Sequence, residues 1–311
     1  MMSYQYYVPE RFQNTVAAHL VMNVINVPNL RTPLILAIHG PAGEGKTEQC
    51  RWVFQEMGVR AEWLFAEEFE SKDAGEPARI IKDKYKAASN YNLEVQAEYK
   101  QKGSCDKPYK LHALFINDID QRIGRSDPLI QQTINTQLVN TALMEIADGP
   151  DEIDGIKTCR VPIVITGNNL AVLHGPLRRD GRMEKFEWIP TLDEKVAIIR
   201  KIFPEQSLSD SDIRRLVYEF STSESRRASC QGRSILSISS FATIRYRLYK
   251  NEIIQMIRDV GLPHVLDYVL KGKHLKRLRH PQITFESIRD MANELIQDGL
   301  LPNHLKELSD V

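Results

Sequence analysis

The sequence predicts an α/β domain, a parallel sheet sandwiched by helices, followed by an all-helical domain. Short apolar runs at 34–38, 61–66, 112–116 and 161–166 are bounded by polar or glycine residues and separated by helical patterns. Strands that alternate with helices build a parallel sheet. The first run leads straight into a glycine-rich segment, His39 to Glu48, with the spacing of a phosphate-binding loop. Strand signals then stop after Trp188-Ile189-Pro190, and the rest of the chain reads helical. The expected organisation is an N-terminal arm over 1–30, an α/β nucleotide-binding domain over 31–190 and a helical lid domain over 191–311.

Taken in order, the first diagnostic element is the loop itself. Gly40, Pro41, Ala42, Gly43, Glu44, Gly45, Lys46 and Thr47 spell G-x-x-x-x-G-K-[ST]. Its glycines let backbone N–H groups close around phosphates, Lys46 reaches the terminal phosphates, and the Thr47 hydroxyl is a ligand for Mg²⁺. A helix follows at Glu48 to Met57, and a helix N-terminus favours anions. Between the third and fourth runs, Ile134, Leu138, Ala142 and Ile146 recur every four residues and predict a core-facing helix over Gln131 to Ala147. Ser89 to Lys110, with its Asn, Tyr, Gly103 and Pro108, reads as a mobile surface loop, as does the Ser- and Arg-rich stretch Ser221 to Gly232. Thr191-Leu-Asp-Glu194 is a capping box that opens a helix through Phe203. Further helices are expected at 209–220, 237–257, 263–271 and 284–297. Aromatic residues in 4–15, among them Tyr6, Tyr7 and Phe12, either lie under a nucleotide base or, as is commoner near a terminus, pack on the domain surface.

Composition removes several function classes. The 311 residues hold 41 Lys plus Arg and 41 Asp plus Glu, so no global field draws in nucleic acid or membrane. The four cysteines, Cys50, Cys105, Cys159 and Cys230, show no C-x-x-C pairing and suit free thiols in a reducing cytosol. With no signal peptide and no run near 18 apolar residues, a soluble cytoplasmic protein is expected.

The hydrolytic residues follow from where the strands end. Leu114 to Asp120 puts acids at the C-terminal end of a buried strand, where open α/β sheets bind ligands. Asp118 is the candidate for polarising the attacking water or holding Mg²⁺, while Asn117 stands where such ATPases usually carry the metal-facing acid. The division of roles between them stays open. The run Val161 to Asn169 also ends in amides, and Asn168 is the choice to meet the γ-phosphate or the lytic water, the alternative being that Gly-Asn-Asn is ordinary turn chemistry. Arg178, Arg179 and Arg182 cluster around a turn, and Arg245 lies on a long helix in the lid, where it either reads the nucleotide or faces solvent.

Read together, these segments are similar to AAA+ ATPases and, within them, to Rubisco activase of plants and cyanobacteria. GEGKTEQC, DAGEPARIIKDKYKAA, LFINDID, NTQLVNTALMEIAD, RVPIVITGNN, PLRRDGRMEKFEW and SISSFATIRYRLY carry the resemblance in order over roughly residues 36 to 298. DGRMEKFEW and AGEPA are its most distinctive strings. The resemblance implies a P-loop NTPase core, a helical lid, a ring-shaped homo-oligomer, expected to be a hexamer, with ATP and Mg²⁺ between subunits, and a protein client, Rubisco. It also implies that Gly40 to Thr47 bind phosphates, Asp118 supports hydrolysis, Asn168 is the first sensor, and Arg179 and Arg182 are fingers inserted by a neighbouring subunit. Such a finger is worth roughly 10³ to 10⁵ in rate, or roughly 4 to 7 kcal/mol of barrier. The loop around Lys72 to Pro77 would face a central pore. His39 replaces a tryptophan of plant activases and Gln132 a tyrosine, which weakens aromatic grip on a client, and the chain carries an insertion near 90–110.

The sequence also admits two other functions. The basic tract Lys271 to His280 suggests nucleic-acid contact, but neutral net charge and the lack of a helix-turn-helix pattern argue against it. A slowly hydrolysing regulatory ATPase stays open because Asn117 would weaken metal binding.

Overall fold

The computed structural model describes residues 7–25, 29–65, 75–120, 134–205, 207–221, 236–272 and 281–297. Its contacts divide the chain into two compact units. One holds Val8–Pro41 and Gly45–Ile189; the other holds the chain from Pro190 onward together with the phosphate-loop tip Ala42–Glu44. Gln132, the first three residues of the pore-loop candidate (72–74), Cys230, Ser- and Arg-rich residues 222–232 and basic residues 273–280 lie outside the described residues.

The first unit is built on a parallel sheet of β1 (Ile35–His39), β2 (Val59–Phe65), β3 (Leu111–Asn117), β6 (Ile163–Gly167) and β7 (Met183–Glu187), in the order β2-β3-β6-β1-β7. β1, β3 and β6 are buried on both faces, which is why they read as continuous apolar runs rather than alternations. Ile35, Ala37, Leu114, Ile116, Ile163 and Ile165 share one core with Ile81 and Tyr85 of α3 (Glu76–Lys102) and Val139, Leu143 and Ile146 of α4 (Ile134–Asp148). Their i, i+2 spacing places them on one face of the sheet. α1 (Glu10–Ile25) packs on α2 (Lys46–Glu56).

Two expectations are corrected here, and two elements are added. Residues 89–102 are not a loop but the second half of α3. Ile81, Tyr85, Ala88, Asn92 and Val95 are buried, a helical stripe that runs straight through the supposed turn formers. Asn92 exchanges both amide hydrogen bonds with the backbone of His112, at 3.0 and 2.7 Å, and the Ser89 hydroxyl accepts the Cys159 N–H at 2.7 Å. The helix stops at Gly103, whose φ of 70° admits the left-handed cap. Second, Phe12 is fully buried, edge-on to Trp188 at 5.0 Å and to Phe186 at 5.8 Å, so it belongs to the core, not the surface. The strand signals hid β7: Met-Glu-Lys-Phe-Glu pairs along β1 at the sheet edge with only Met183 buried. A small hairpin, β4 (Glu152–Ile153) and β5 (Ile156–Lys157), was also unread. Asp154 and Gly155 both take positive φ in its turn, the pattern of a two-residue hairpin loop.

The second unit is helical: α5 (Leu192–Ile202), α6 (Asp210–Ser221), α7 (Ile238–Val260), α8 (Leu262–Leu270) and α9 (Phe285–Gln297). The expected capping box forms, with Glu194 N–H reaching Thr191 Oγ1 at 3.3 Å and Thr191 N–H reaching Glu194 Oε2 at 2.7 Å. Ile199, Phe203, Ile213, Leu216, Phe220, Phe241, Ile244, Ile288 and Leu295 make its core. No residue of α8 is buried. Among the described residues no helix is long and apolar enough to cross a membrane. Cys50, Cys105 and Cys159 are free thiols, as expected.

Candidate functional site: a phosphate loop at the carboxyl end of the sheet

The site of the first unit grows from the central strand. β1 ends at His39, and the chain turns at Gly40 with φ 145°. A Cβ there would lie 2.2 Å from the Trp188 carbonyl oxygen, so only glycine lets the loop leave the strand at this angle. Gly45, at φ 78°, is the residue before α2, and its lack of a side chain makes that left-handed turn cheap. Lys46, 6% exposed, donates from Nζ to the carbonyls of Gly40 at 2.8 Å and Pro41 at 2.9 Å and to Asn168 Oδ1 at 3.0 Å. Two residues chosen from distant parts of the sequence, Lys46 and Asn168, are therefore brought into direct contact.

Beside them, the ends of β3 and β6 are stitched together. Asn117 Oδ1 accepts from the Thr47 hydroxyl at 2.7 Å and from the Thr166 hydroxyl at 3.1 Å, and Thr166 Oγ1 accepts the Asp118 N–H at 3.1 Å. Asn117 Nδ2 donates to Asp118 Oδ2 at 2.9 Å. Asp118 sits in the left-handed region at φ 50°, a conformation Asp tolerates better than most side chains. Burial raises its pKa above the ordinary 3.8, with Asp120 adding to the rise while Lys46 and the Asn117 amide oppose it. Such a carboxylate is a stronger base than one in water. Asp120 turns inward, its Oδ2 accepting the N–H groups of Asn168 at 2.7 Å and Asn169 at 2.8 Å.

The glycine cradle, the buried ammonium of Lys46 and the adjoining oxygens of Thr47, Asn117 and Asp118 fit a nucleoside triphosphate with a hard divalent cation, which prefers oxygen ligands. Among the described residues there is no separate cluster of three or more metal-ligating side chains. Within the helical unit, the loop tip is held by its own contacts: Glu44 pairs with Lys195 at 2.8 Å, both side chains almost fully buried, and the Gly43 carbonyl accepts the Ser239 N–H at 3.0 Å.

The arginines part company. Arg182 forms a bidentate pair with Asp148, at 2.6 and 2.5 Å, and donates to the Pro176 carbonyl at 2.6 Å. Hydrogen bonding to this guanidinium holds the Asp148 carboxyl below the ordinary carboxylate range. Arg179 is exposed. Arg178 is half-buried, its Nε without a hydrogen-bond partner among the described residues. Arg245 lies inside the helical unit, paired with Glu205 at 2.8 Å, its guanidinium 5.4 Å from the Tyr249 ring centroid; it does not face solvent. Sequence reasoning missed Thr166 and gave Asp120 no role of its own. The one available signal was a polar residue closing the otherwise apolar run Val161 to Ile165.

Residues 36–191 match the AAA family, ATPases associated with various cellular activities. The chain belongs to this family. Residues 192–299 match the AAA helical domain of ribulose bisphosphate carboxylase/oxygenase activase. The AAA chain is 39% identical over 300 residues to ribulose bisphosphate carboxylase/oxygenase activase of an Anabaena strain, covering 94% of this chain and 66% of that protein. It is 41% identical over 266 residues to the protein of the same name from a Nostoc strain, covering 84% and 58%. With the chloroplastic activase A of Hordeum vulgare it shares 35% over 300 residues, covering 94% and 58%. The chain thus spans between 58% and 66% of the length of these relatives.

Proposed function

We propose that this protein hydrolyses ATP, with Mg²⁺, at the seams of a ring-shaped homo-oligomer, a hexamer, and uses the cycle to remodel a protein client, Rubisco, in the cytoplasm. The observation that carries the reading is the convergence of Lys46, Thr47, Asn117, Asp118 and Asn168 on one end of the parallel sheet. Similarity to proteins named as activases supports the choice of client.

Gly40 to Thr47 wrap the phosphates and Lys46 exchanges its carbonyl partners for phosphate oxygens. Thr47 and Asp118, beside Asn117, would hold Mg²⁺, which when bound neutralises phosphate charge. Asn168 orients the lytic water. Asp118 takes the proton as the water oxygen bonds to the γ-phosphorus and the bond to the bridging oxygen breaks, leaving ADP and phosphate. Catalysis of this kind rests on positioning and charge stabilisation. Arg179, already exposed, is the finger offered to a neighbouring subunit; Arg182 is the second, and serves only if it releases Asp148. Arg245 reads the nucleotide only if it leaves Glu205.

The test is ATP turnover, with and without Mg²⁺, in the presence of inhibited Rubisco. Wild type is expected to turn over ATP and restore carboxylation, and Lys46→Ala to do neither. Mg²⁺-dependent turnover without any restoration would remove Rubisco as the client. A second reading, a slow regulatory ATPase, is favoured by Asn117 standing beside Thr47 where an acid would bind metal more tightly. Asn117→Asp raises turnover on that reading.

A further inference from the structure

We infer that Asp120 is a positioning residue for hydrolysis, its carboxylate setting the turn that aims the Asn168 amide. The inference rests on the reading of Asn168 as the amide that orients the lytic water. Asp120 touches neither the phosphate loop nor Lys46 through any hydrogen bond of the described residues. It acts through the backbone: one oxygen, Oδ2, accepts the successive N–H groups of Asn168 and Asn169 at 2.7 and 2.8 Å. Two adjacent peptide N–H vectors converging on one anionic acceptor fix both peptide planes, and charge-assisted bonds of this length are the strong ones. The residue between those planes is Asn168, whose side chain then reaches Lys46 Nζ at 3.0 Å. Downstream, Asn169 caps the short 3₁₀ turn Leu170–Val172 by accepting the Ala171 N–H at 2.8 Å, so the turn cannot drift from its other side.

The approach is built rather than incidental. A Cβ on Gly167 would meet Asp120 Oδ1 at 3.0 Å and Cγ at 3.3 Å; a bare glycine gives the carboxylate its place under the turn. Oδ1 is buried and has no hydrogen-bond partner among the described residues. A carboxylate serving only as a surface cap would keep that oxygen in water, since an unpaired buried oxygen is costly. The base of the arrangement is also fixed, because the Ile119 N–H bonds the Thr166 carbonyl at 3.0 Å. Asp120 thus ties the end of β3 to the sensor turn after β6, and a misplacement of about 1 Å at such a point costs about 10²-fold in rate.

The experiment compares wild type, Asp120→Ala, Asp120→Asn, Asn168→Ala and the double variant Asp120→Ala/Asn168→Ala in the full chain, measuring kcat and KM for ATP, affinity for a non-hydrolysable ATP analogue, and the melting temperature. Asp120→Ala is expected to lower kcat by about 10- to 100-fold while KM and analogue affinity stay within about threefold. Asp120→Asn, which keeps an acceptor oxygen under the turn, is expected to recover most of kcat. The double variant should match Asn168→Ala alone, because two residues acting through one group are not additive. If Asn168→Ala lowers kcat but Asp120→Ala does not, or if their effects multiply, the positioning role is overturned and the sensor reading survives. If Asn168→Ala leaves kcat unchanged, both fall. Should Asp120→Ala not fold, Asp120→Ser, too short to hold both N–H groups, takes its place together with its own Asn168→Ala double variant, and losses that multiply again overturn the idea.

Discussion

His19 on α1 is buried, and burial first, with the Arg160 guanidinium second among the lowering influences, brings its pKa from 6.5 down to about 4. The folded protein keeps this imidazole neutral, while the unfolded chain takes up a proton below 6.5. The unfolded state therefore binds more protons in that window, and stability falls as pH drops from 6.5 toward 4, by about 3 kcal/mol at most. Urea midpoints across that range should show the slope in wild type and a shallower one in His19→Gln; equal slopes would mean that another group titrates. Asp118 has the opposite sign. Its raised pKa means the folded protein prefers the protonated acid, so its contribution is fully present at low pH and is lost as pH rises through the folded pKa. Asp118→Asn is expected to abolish turnover yet melt no lower than wild type at neutral pH, and wild-type turnover should fall as pH drops, with a midpoint above the ordinary carboxylate range. A lower melting temperature for that variant at pH 7 would show that the ionised carboxylate is needed for folding. Asp118 was legible in the sequence because it follows an apolar run; His19 was not, because its burial depends on which strands α1 covers.

At the scale of elements, the tie between α4 and the turn before β7 is the Asp148–Arg182 pair, part-exposed but bidentate. Surface pairs usually contribute little, though ideal bidentate geometry raises the value. If Arg182 serves as a finger, Asp148 competes for it, so Asp148→Asn should leave turnover equal or higher while Arg182→Ala lowers it at least about tenfold. If the pair only holds the turn, both variants lower the melting temperature alike and turnover follows folding; parallel melting and activity losses would remove Arg182 from the fingers. The helix α3 illustrates why element reading failed where it did. Asn90, Tyr91 and Asn92 look like turn chemistry, but the polar groups of Ser89 and Asn92 are satisfied by backbone groups 20 or more residues away. A partner so distant leaves no local signature. The five helices of the second unit were readable because each carries an amphipathic stripe, and two of them, α5 and α7, open with side-chain caps.

For the whole molecule, the proposed seam makes each subunit supply a cradle on one side and an arginine on the other, a head-to-tail contact that closes into a ring. Two inactive variants should then rescue each other. Lys46→Ala lacks a cradle and Arg179→Ala lacks a finger, yet a random equal mixture forms intact seams at about a quarter of its interfaces. ATP turnover of the mixture is expected to reach a substantial fraction of wild type, measured after co-refolding or subunit exchange. A mixture no more active than its components, with exchange verified by labelled subunits, would place the complete site within one chain. Specific activity of wild type should also rise with protein concentration as rings assemble.

The sequence alone determined the sheet strands that are buried on both faces, the phosphate loop and the helical second unit, since each depends on residues close together in the chain: apolar runs, glycine spacing, capping boxes. Only the tertiary structure decided that Asn117 shares its oxygen between Thr47 and Thr166, that Asp120 lies under the Asn168 turn, that Arg182 is engaged by Asp148, and that Phe12 belongs to the core. The reason is physical: hydrogen-bond partners and burial are properties of strand order and helix packing, and strand order β2-β3-β6-β1-β7 brings residue 46 to residue 168 across 122 positions of chain.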